Sequence, residues 1–277
     1  MVIGRYTCCV IGDHDFISLI QCYWEKRWQA RISESVDITI HVAKGSFECS
    51  RELPDGWSTV DEDGVRQAVY IQKGKIIFAL GNIGHNEAIV RVEKTLDSYI
   101  RLGAHYGLMT ALSDNCVGLH GVTLLCGEEV VILSAPSGTG KTTLAHLLEK
   151  HCEAIVINGD FALLNPTEDG VVFEPTPFCG SSGRCLNHRV RVDRVVFLEQ
   201  SKTNEWRSLS GREAMTRFLS NAFVPNWDEK MRQTVQENVL KCISTLNVNS
   251  YSFEPTKEAA EVFFTQLQHI EEQSSNI

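Results

Sequence analysis

The run Ser137-Gly138-Thr139-Gly140-Lys141-Thr142-Thr143 has the composition of a phosphate cradle. Glycines at 138 and 140 let the backbone curl, so that the N–H groups of Ser137 to Thr143 converge on phosphate oxygens. Lys141 can then reach the β- and γ-phosphates of a nucleotide, and the Thr142 hydroxyl can ligate the accompanying Mg²⁺. This is chemistry for holding ATP and transferring its γ-phosphoryl group. Two other residues can share in it. His120 stands between glycines in Gly118-Leu119-His120-Gly121, and Asp160 ends Asn158-Gly159-Asp160. A carboxylate there can hold Mg²⁺, directly or through water, or take the proton of an incoming hydroxyl. Each also has a plainer reading, as a structural histidine and as a loop aspartate capping a turn. Arg184, Arg189 and Arg191 follow the segment PTPFCGSSGR, stiff at its prolines and flexible at its glycines. An arginine in a mobile loop above the phosphates could stabilise the transferring charge. The plainer reading is a solvated basic loop.

These residues need elements to hold them. Val130 to Leu133 is a short apolar run, expected as a buried parallel strand. Leu144, Leu147 and Leu148 mark one face of a helix after the loop, whose positive end points at the same anion. Ala135 stands where such loops usually carry their first glycine. An ordinary strand-turn-helix connection gives no reason for Gly138, Gly140 and Lys141 to coincide. Gly118 to Leu125 reads as a strand joined by Cys126-Gly127-Glu128-Glu129 to the strand before the loop, as a hairpin with His120 at its far end. Ala154 to Ile157 reads as a further strand. It would put Asp160 at the carboxyl end of a parallel strand, where α/β folds place ligands. Phe161 to Phe173 reads as a hairpin around Glu168-Asp169-Gly170, and Val195 to Leu198 as a strand closing the sheet. Ser210 and Glu213 fit a capping box opening a helix with Met215, Phe218, Leu219 and Phe223 at helical spacing. A second helix is expected from about Trp227 to Ile243. A third follows Pro255, with Ala259, Val262, Phe263 and Leu267 inward.

The first part of the chain reads differently. Val36 to Val42 alternates like a half-buried strand. Ala68–Ile71 and Ile76–Leu80 flank a Lys73-Gly74 turn as a hairpin. Leu96, Ile100, Ala104, Leu108 and Leu112 form one helical stripe. Trp24, Trp28 and Trp57 are expected in packing. A seam near Ser113-Asp114-Asn115 separates a β-rich α+β domain, residues 1–113, from an α/β domain with C-terminal helices, residues 114–277. No apolar run reaches membrane-spanning length and the start is unlike a signal peptide, so a cytoplasmic protein without a membrane partner is expected. The 277 residues carry a formal net charge of -9 with no Lys/Arg-rich tract, which argues against a nucleic-acid polymer as partner. Ten cysteines are scattered without a C-x-x-C pair, as in free thiols of a reducing compartment.

LHGVTLL, the glycine loop and INGDFALL, in this order, resemble the catalytic domain of HPr kinase/phosphorylase and its wider relatives, a family similar in fold to phosphoenolpyruvate carboxykinase. The resemblance covers about residues 118 to 200. It implies an ATP- and Mg²⁺-dependent kinase whose histidine, glycine loop and acidic strand end correspond to His120, Ser137–Thr143 with Lys141, and Asp160. Gly159-Asp160 departs from the adjacent acidic pair common in the family. PTPFCGSSGR replaces the family's glycine-rich signature and is similar to divergent relatives that phosphorylate a serine of ribosomally made precursor peptides, those of lasso peptides among them. The expected acceptor is therefore a peptide or protein serine. Thr142 and Asp160 are then the Mg²⁺ ligands, with Arg184 completing the charge clamp. A kinase of a small hydroxylated metabolite and a nucleotide-gated binding protein with little turnover remain open alternatives. So does homo-oligomerisation.

Overall fold

The computed structural model describes residues 2–12, 14–25, 35–45, 54–62, 65–84, 86–92 and 97–274. The chain divides into two compact units. One is Met1–Asn115 with Val224–Val235, and the other is Cys116–Phe223 with Gln236–Ile277. The expected seam sits two residues before Asn115, but Val224–Val235 returns to the first unit.

In the first unit β1 (Val2–Ile3), β2 (Tyr6–Gly12), β3 (Ile38–Lys44), β4 (Gly56–Glu62), β5 (Val65–Gln72), β6 (Lys75–Gly84) and β7 (Glu87–Val92) form one sheet. Its order is β1-β2-β3-β7-β6-β5-β4, with β3 parallel to both β2 and β7. The hairpin at Lys73-Gly74 is β5–β6. α1 (His14–Glu25) was not legible as a helix, and α2 (Asp97–Leu112) carries the expected stripe of Ile100, Ala104, Leu108 and Leu112 in the core. α2 approaches the sheet closely: a Cβ on Gly107 would lie 2.5 Å from a Val90 methyl. Trp57 is 41% exposed, with its ring edge-on to Tyr70, Phe78 and Tyr106. Leu96, Trp28 and the side chain of Trp24 lie outside the described residues.

The second unit is a mixed α/β layer. Its elements are β8 (Val117–Cys126), β9 (Glu129–Ser134), α3 (Lys141–Cys152), β10 (Ile155–Asn158), β11 (Phe161–Thr167), β12 (Gly170–Glu174), β13 (Val190–Val192), β14 (Arg194–Gln200), β15 (Glu205–Ser208) and α4 (Gly211–Asn221). α5 (Glu229–Thr245), counted here from Gln236, β16 (Asn247–Phe253) and α6 (Lys257–Ser274) complete it. The sheet order is β13-β12-β11-β8-β9-β14-β16-β15, with β10 also on β8. β9 is parallel only to β14; its other neighbour, β8, is antiparallel. Val195–Leu198 does not close the sheet, because β14 lies between β9 and β16. The C-terminal part is not purely helical. β16 reads NVNSYSF, and its inward Asn249 and Ser250 hide the strand from any apolar alternation.

One face of this sheet packs on α3 and α6. Val122, Leu124, Val131, Leu133, Val196 and Leu198 meet Leu144, Leu148, Ala259, Phe263 and Leu267 there. Strand side chains alternate between faces, so Phe197 points the other way, where its ring lies edge-on to Phe218 of α4 at 5.3 Å. At the end of β14 far from the glycine loop, buried Arg194 holds both Glu129 oxygens at 2.8 and 2.9 Å and Asn249 at 2.8 Å. That bidentate contact fixes the register of β9, β14 and β16.

α4 starts with the expected capping box: Ser210 accepts from the Glu213 N–H, and the Glu213 carboxylate accepts from the Ser210 N–H. Hydrogen bonds from Arg207 and from Ser210 lower the Glu213 pKa from 4.5 to about 2. A depressed carboxylate contributes stability above its unfolded pKa and loses it as pH falls through the folded one. Glu213→Gln should therefore be less stable than wild type at pH 6, and the difference should vanish toward pH 2 in paired denaturant titrations. Ser210→Ala should cost about 1 kcal/mol at neutral pH.

Candidate active site

The glycine loop runs from Ala135 to Gly140, between β9 and α3. Gly138 (φ 83) and Gly140 (φ 104) take left-handed conformations that a side chain would strain. Pro136, Ser137 and Gly138 are exposed, as are Thr142 and Thr143 at the start of α3. Gly140 caps α3 and, having no side chain, makes no side-chain cap bond to the first N–H groups of the helix. Lys141 is 7% exposed and threads back through the loop, donating to the Ala135 carbonyl at 2.7 Å and the Pro136 carbonyl at 3.1 Å. Burial lowers its pKa, and the Asp160 carboxylate opposes that shift. Lys141 and Asp160 therefore share one electrostatic field.

Asp160 reaches this place by a different route from the one expected. β10 does not pair in parallel. It lies antiparallel on β8, with Ile155 opposite Leu125, and β11 continues along the same edge with Phe161 opposite His120. β8 is itself antiparallel to β9, so β10 still runs in the direction of β9 and ends at the same end of the sheet. Asp160 sits in the break between β10 and β11, its carbonyl accepting from the Gly121 N–H at 2.9 Å. Its carboxylate Oδ1 is 3.4 Å from His120 Nε2, and both side chains are partly open to solvent. The His120 carbonyl accepts from the Ser134 hydroxyl at 2.9 Å, tying that strand to the last residue before the loop. His120, Asp160 and Lys141 thus come together from separate strands and a helix.

Asn158 was not singled out in the sequence, yet it makes the break. It is 1% exposed. Its Oδ1 accepts from the N–H groups of Asp160 and Phe161, both at 3.1 Å. Its Nδ2 donates to the carbonyls of Phe178 at 3.0 Å and Thr176 at 3.4 Å. One amide therefore fixes the Asp160 backbone and draws the 176–178 segment beside it. The following residues fold over Gly159 and Asp160. A Cβ on Gly159 would lie 2.0 Å from Ser182 Oγ, and one on Gly180 (φ 56) 2.6 Å from the Asp160 carboxyl carbon. Gly159 N–H donates to the Arg184 carbonyl at 3.0 Å. A second acidic side chain at 159 has no room beneath this loop.

The three loop arginines are differently placed. Arg184 pairs with Glu149 of α3. Arg189 Nε lies 3.2 Å from both oxygens of Glu174, which is fully buried. Arg191 flanks Gly170. None of the described cysteines is in a disulfide, and no cluster of three or more His, Cys, Asp or Glu fit to hold a metal occurs among the described residues. No helix among them is long and apolar enough to cross a membrane.

No family model matches the chain, and no curated protein does. One solved structure, described as the Hpr(Ser) kinase/phosphatase from Coxiella burnetii, overlays 57% of this chain and 98% of its own. The identity is 10% and the TM-score 0.33, a likeness too slight to carry an argument.

Two outcomes test the geometry. Burying the Lys141 ammonium disfavours its charged form, so Lys141→Met should melt at or above the wild-type temperature near pH 7 while losing nucleotide binding. Calorimetry and a binding titration on the same sample check both. Asn158→Ala leaves the Asp160 and Phe161 N–H groups without their acceptor and should cost roughly 2–6 kcal/mol, at about 1–3 for each unsatisfied group. Chemical denaturation measures it.

Proposed function

We propose that the second unit is an ATP-dependent phosphotransferase acting on a hydroxyl. The observation that carries this reading is the meeting of His120, Lys141 and Asp160 at the end of β9 where the exposed glycine loop begins. Backbone N–H groups from Ser137 to Thr143 bind the polyphosphate, and Lys141 exchanges its two carbonyl acceptors for phosphate oxygens. Asp160 accepts the proton of the acceptor hydroxyl as the acceptor oxygen bonds to the γ-phosphorus. The bridging oxygen leaves with ADP. His120, 3.4 Å away, orients that carboxylate and meets the incoming group.

The donor set suits Mg²⁺ brought in by the nucleotide. A hydroxyl and one carboxylate, Thr142 and Asp160, are the ligands on offer, and Mg²⁺ commonly keeps its waters and takes few protein ligands beside phosphates. When bound, the ion neutralises charge on the transferring phosphate. A serine of a peptide or protein is the acceptor favoured by the resemblance of the three motifs. The free cysteines suit a reducing compartment such as the cytoplasm.

Intact-mass analysis of hydroxyl-bearing peptides and metabolites incubated with ATP and Mg²⁺ tests the reading, which predicts the gain of one phosphoryl group. Asp160→Asn separates the two roles of the carboxylate. As a proton acceptor, its loss lowers turnover by roughly 10²–10⁴ with nucleotide affinity kept. As a metal ligand, its loss weakens affinity and extra Mg²⁺ restores turnover. Unchanged turnover at ordinary Mg²⁺ would refute both roles.

A further inference from the structure

We propose that Arg217 of α4 is the arginine that meets the terminal phosphate of the bound nucleotide, with Glu199 at the end of β14 as its positioning residue. This rests on the nucleotide reading above and adds to it a residue from the opposite face of the sheet. β14 lies parallel to β9 with Phe197 opposite Ser134, the last residue before the glycine loop. Beyond Phe197 the strand continues through Leu198, Glu199 and Gln200, past the level at which β9 turns into the loop. Gln200 Nε2 confirms the approach by donating to the Gly138 carbonyl at 3.4 Å. The carboxyl ends of parallel strands are where open α/β sheets hold ligands, and Glu199 is the charged residue at the end of this one.

Alternation decides which way Glu199 faces. Val196 and Leu198 are part of the core beneath α3 and α6. Phe197 and Glu199 therefore face α4, where Phe197 meets Phe218 and Glu199 Oε1 pairs with Arg217 Nη2. The chain continues from α4 to β8, the strand that carries His120. Ala222 bridges to Leu119, and the Phe223 N–H donates to the Gly118 carbonyl at 2.8 Å. Both contacts lie just before His120, on the stretch of β8 that extends past the end of β9. α4 thus walls the loop end of the sheet from one face while α3 starts on the other, and Arg217 stands on that wall.

Three other arginines of this unit have partners elsewhere. Arg184 is held by Glu149, Arg189 by the buried Glu174, and Arg194 by Glu129 and Asn249 at the far end of the strand. The Glu199–Arg217 pair is 39% and 35% exposed, so it is not a core pin. Glu199 takes one terminal nitrogen of a guanidinium whose five N–H donors lie in a planar fork. The remaining edge can take two phosphate oxygens while Glu199 holds the group in aim. Arg217 supplies charge and hydrogen bonds and exchanges no atoms.

The test compares ATP and ADP binding to the full chain by calorimetry, with Mg²⁺ and no acceptor. Arg217→Ala should weaken ATP about tenfold and leave ADP unchanged, the worth of one charge-assisted hydrogen bond to the γ-phosphate. Arg217→Lys, which keeps the charge but loses the fork, should fall between. Glu199→Gln should lower the ATP preference less and reduce kcat more than it raises KM. Arg207→Ala, which breaks an exposed pair with Glu213 beside the same helix, should leave the ATP-to-ADP ratio alone. If Arg217→Ala and Arg217→Lys lower only the melting temperature and keep the wild-type ratio, the pair merely ties α4 to the sheet and this inference is overturned. If the wild type binds neither nucleotide, the reading of the glycine loop falls and takes this one with it. Nucleotide binding lost in Lys141→Met beside an unchanged ratio in Arg217→Ala overturns only the role of Arg217.

Discussion

The side-chain amide of Asn158 is the constraint on which the candidate site depends. A strand that breaks in its middle leaves backbone donors that must be satisfied, since buried N–H groups rarely go unpaired. Asn158 accepts from two of them and donates to two carbonyls of a segment about twenty residues further on. The break lets Asp160 leave the ladder and turn its carboxylate toward His120. The donors bring the 176–178 segment alongside, and Gly180 then closes over Asp160 with no space for a Cβ. The Asp160 backbone is set by Asn158 and by the Gly121 N–H, and its carboxylate lies 3.4 Å from His120 Nε2.

Lys141 illustrates the cost of such a site. An ammonium group is expensive to bury, and desolvation pushes its pKa down. Two loop carbonyls and the field of Asp160 make that burial tolerable. A phosphate is a stronger partner than either carbonyl, so the loop holds its lysine in an arrangement that an anion improves. The same logic applies to the start of α3, whose positive end carries no side-chain cap.

What was legible in the sequence was what depends on short-range pattern. The β8–β9 hairpin, the strand-loop-helix around Lys141 and the capping box of α4 are each written in fewer than twenty-five consecutive residues. Direction and neighbourhood were not. Ala154–Ile157 looks the same whether its neighbour is parallel or antiparallel, and the parallel expectation for β10 was wrong even though Asp160 arrived at the right end. β16 was missed because Asn249 and Ser250 sit inside where apolar residues were sought. The work of Asn158 could not be seen, because its partners at Thr176 and Phe178 are fixed only by the fold. Arg184 drew attention through its loop, and the fold supplies Glu149 as its partner, a residue with no signal of its own.

The single aspartate also has a spatial explanation. Where the family resemblance leads one to expect two adjacent acids, this chain has Gly159, and the loop carrying Ser182 occupies the space a side chain would need. A second carboxylate there would have to displace that loop and with it the contacts over Asp160. The break after β10 thus offers one carboxylate, Asp160, on the side of the sheet end where Lys141 and the positive end of α3 lie. Balance from the opposite face would have to be carried by α4, after which Ala222 and Phe223 pair with Leu119 and Gly118, just before His120. α3 and α4 thus pack on opposite faces of one sheet, and His120, Lys141 and Asp160 lie at the end of it where the glycine loop begins.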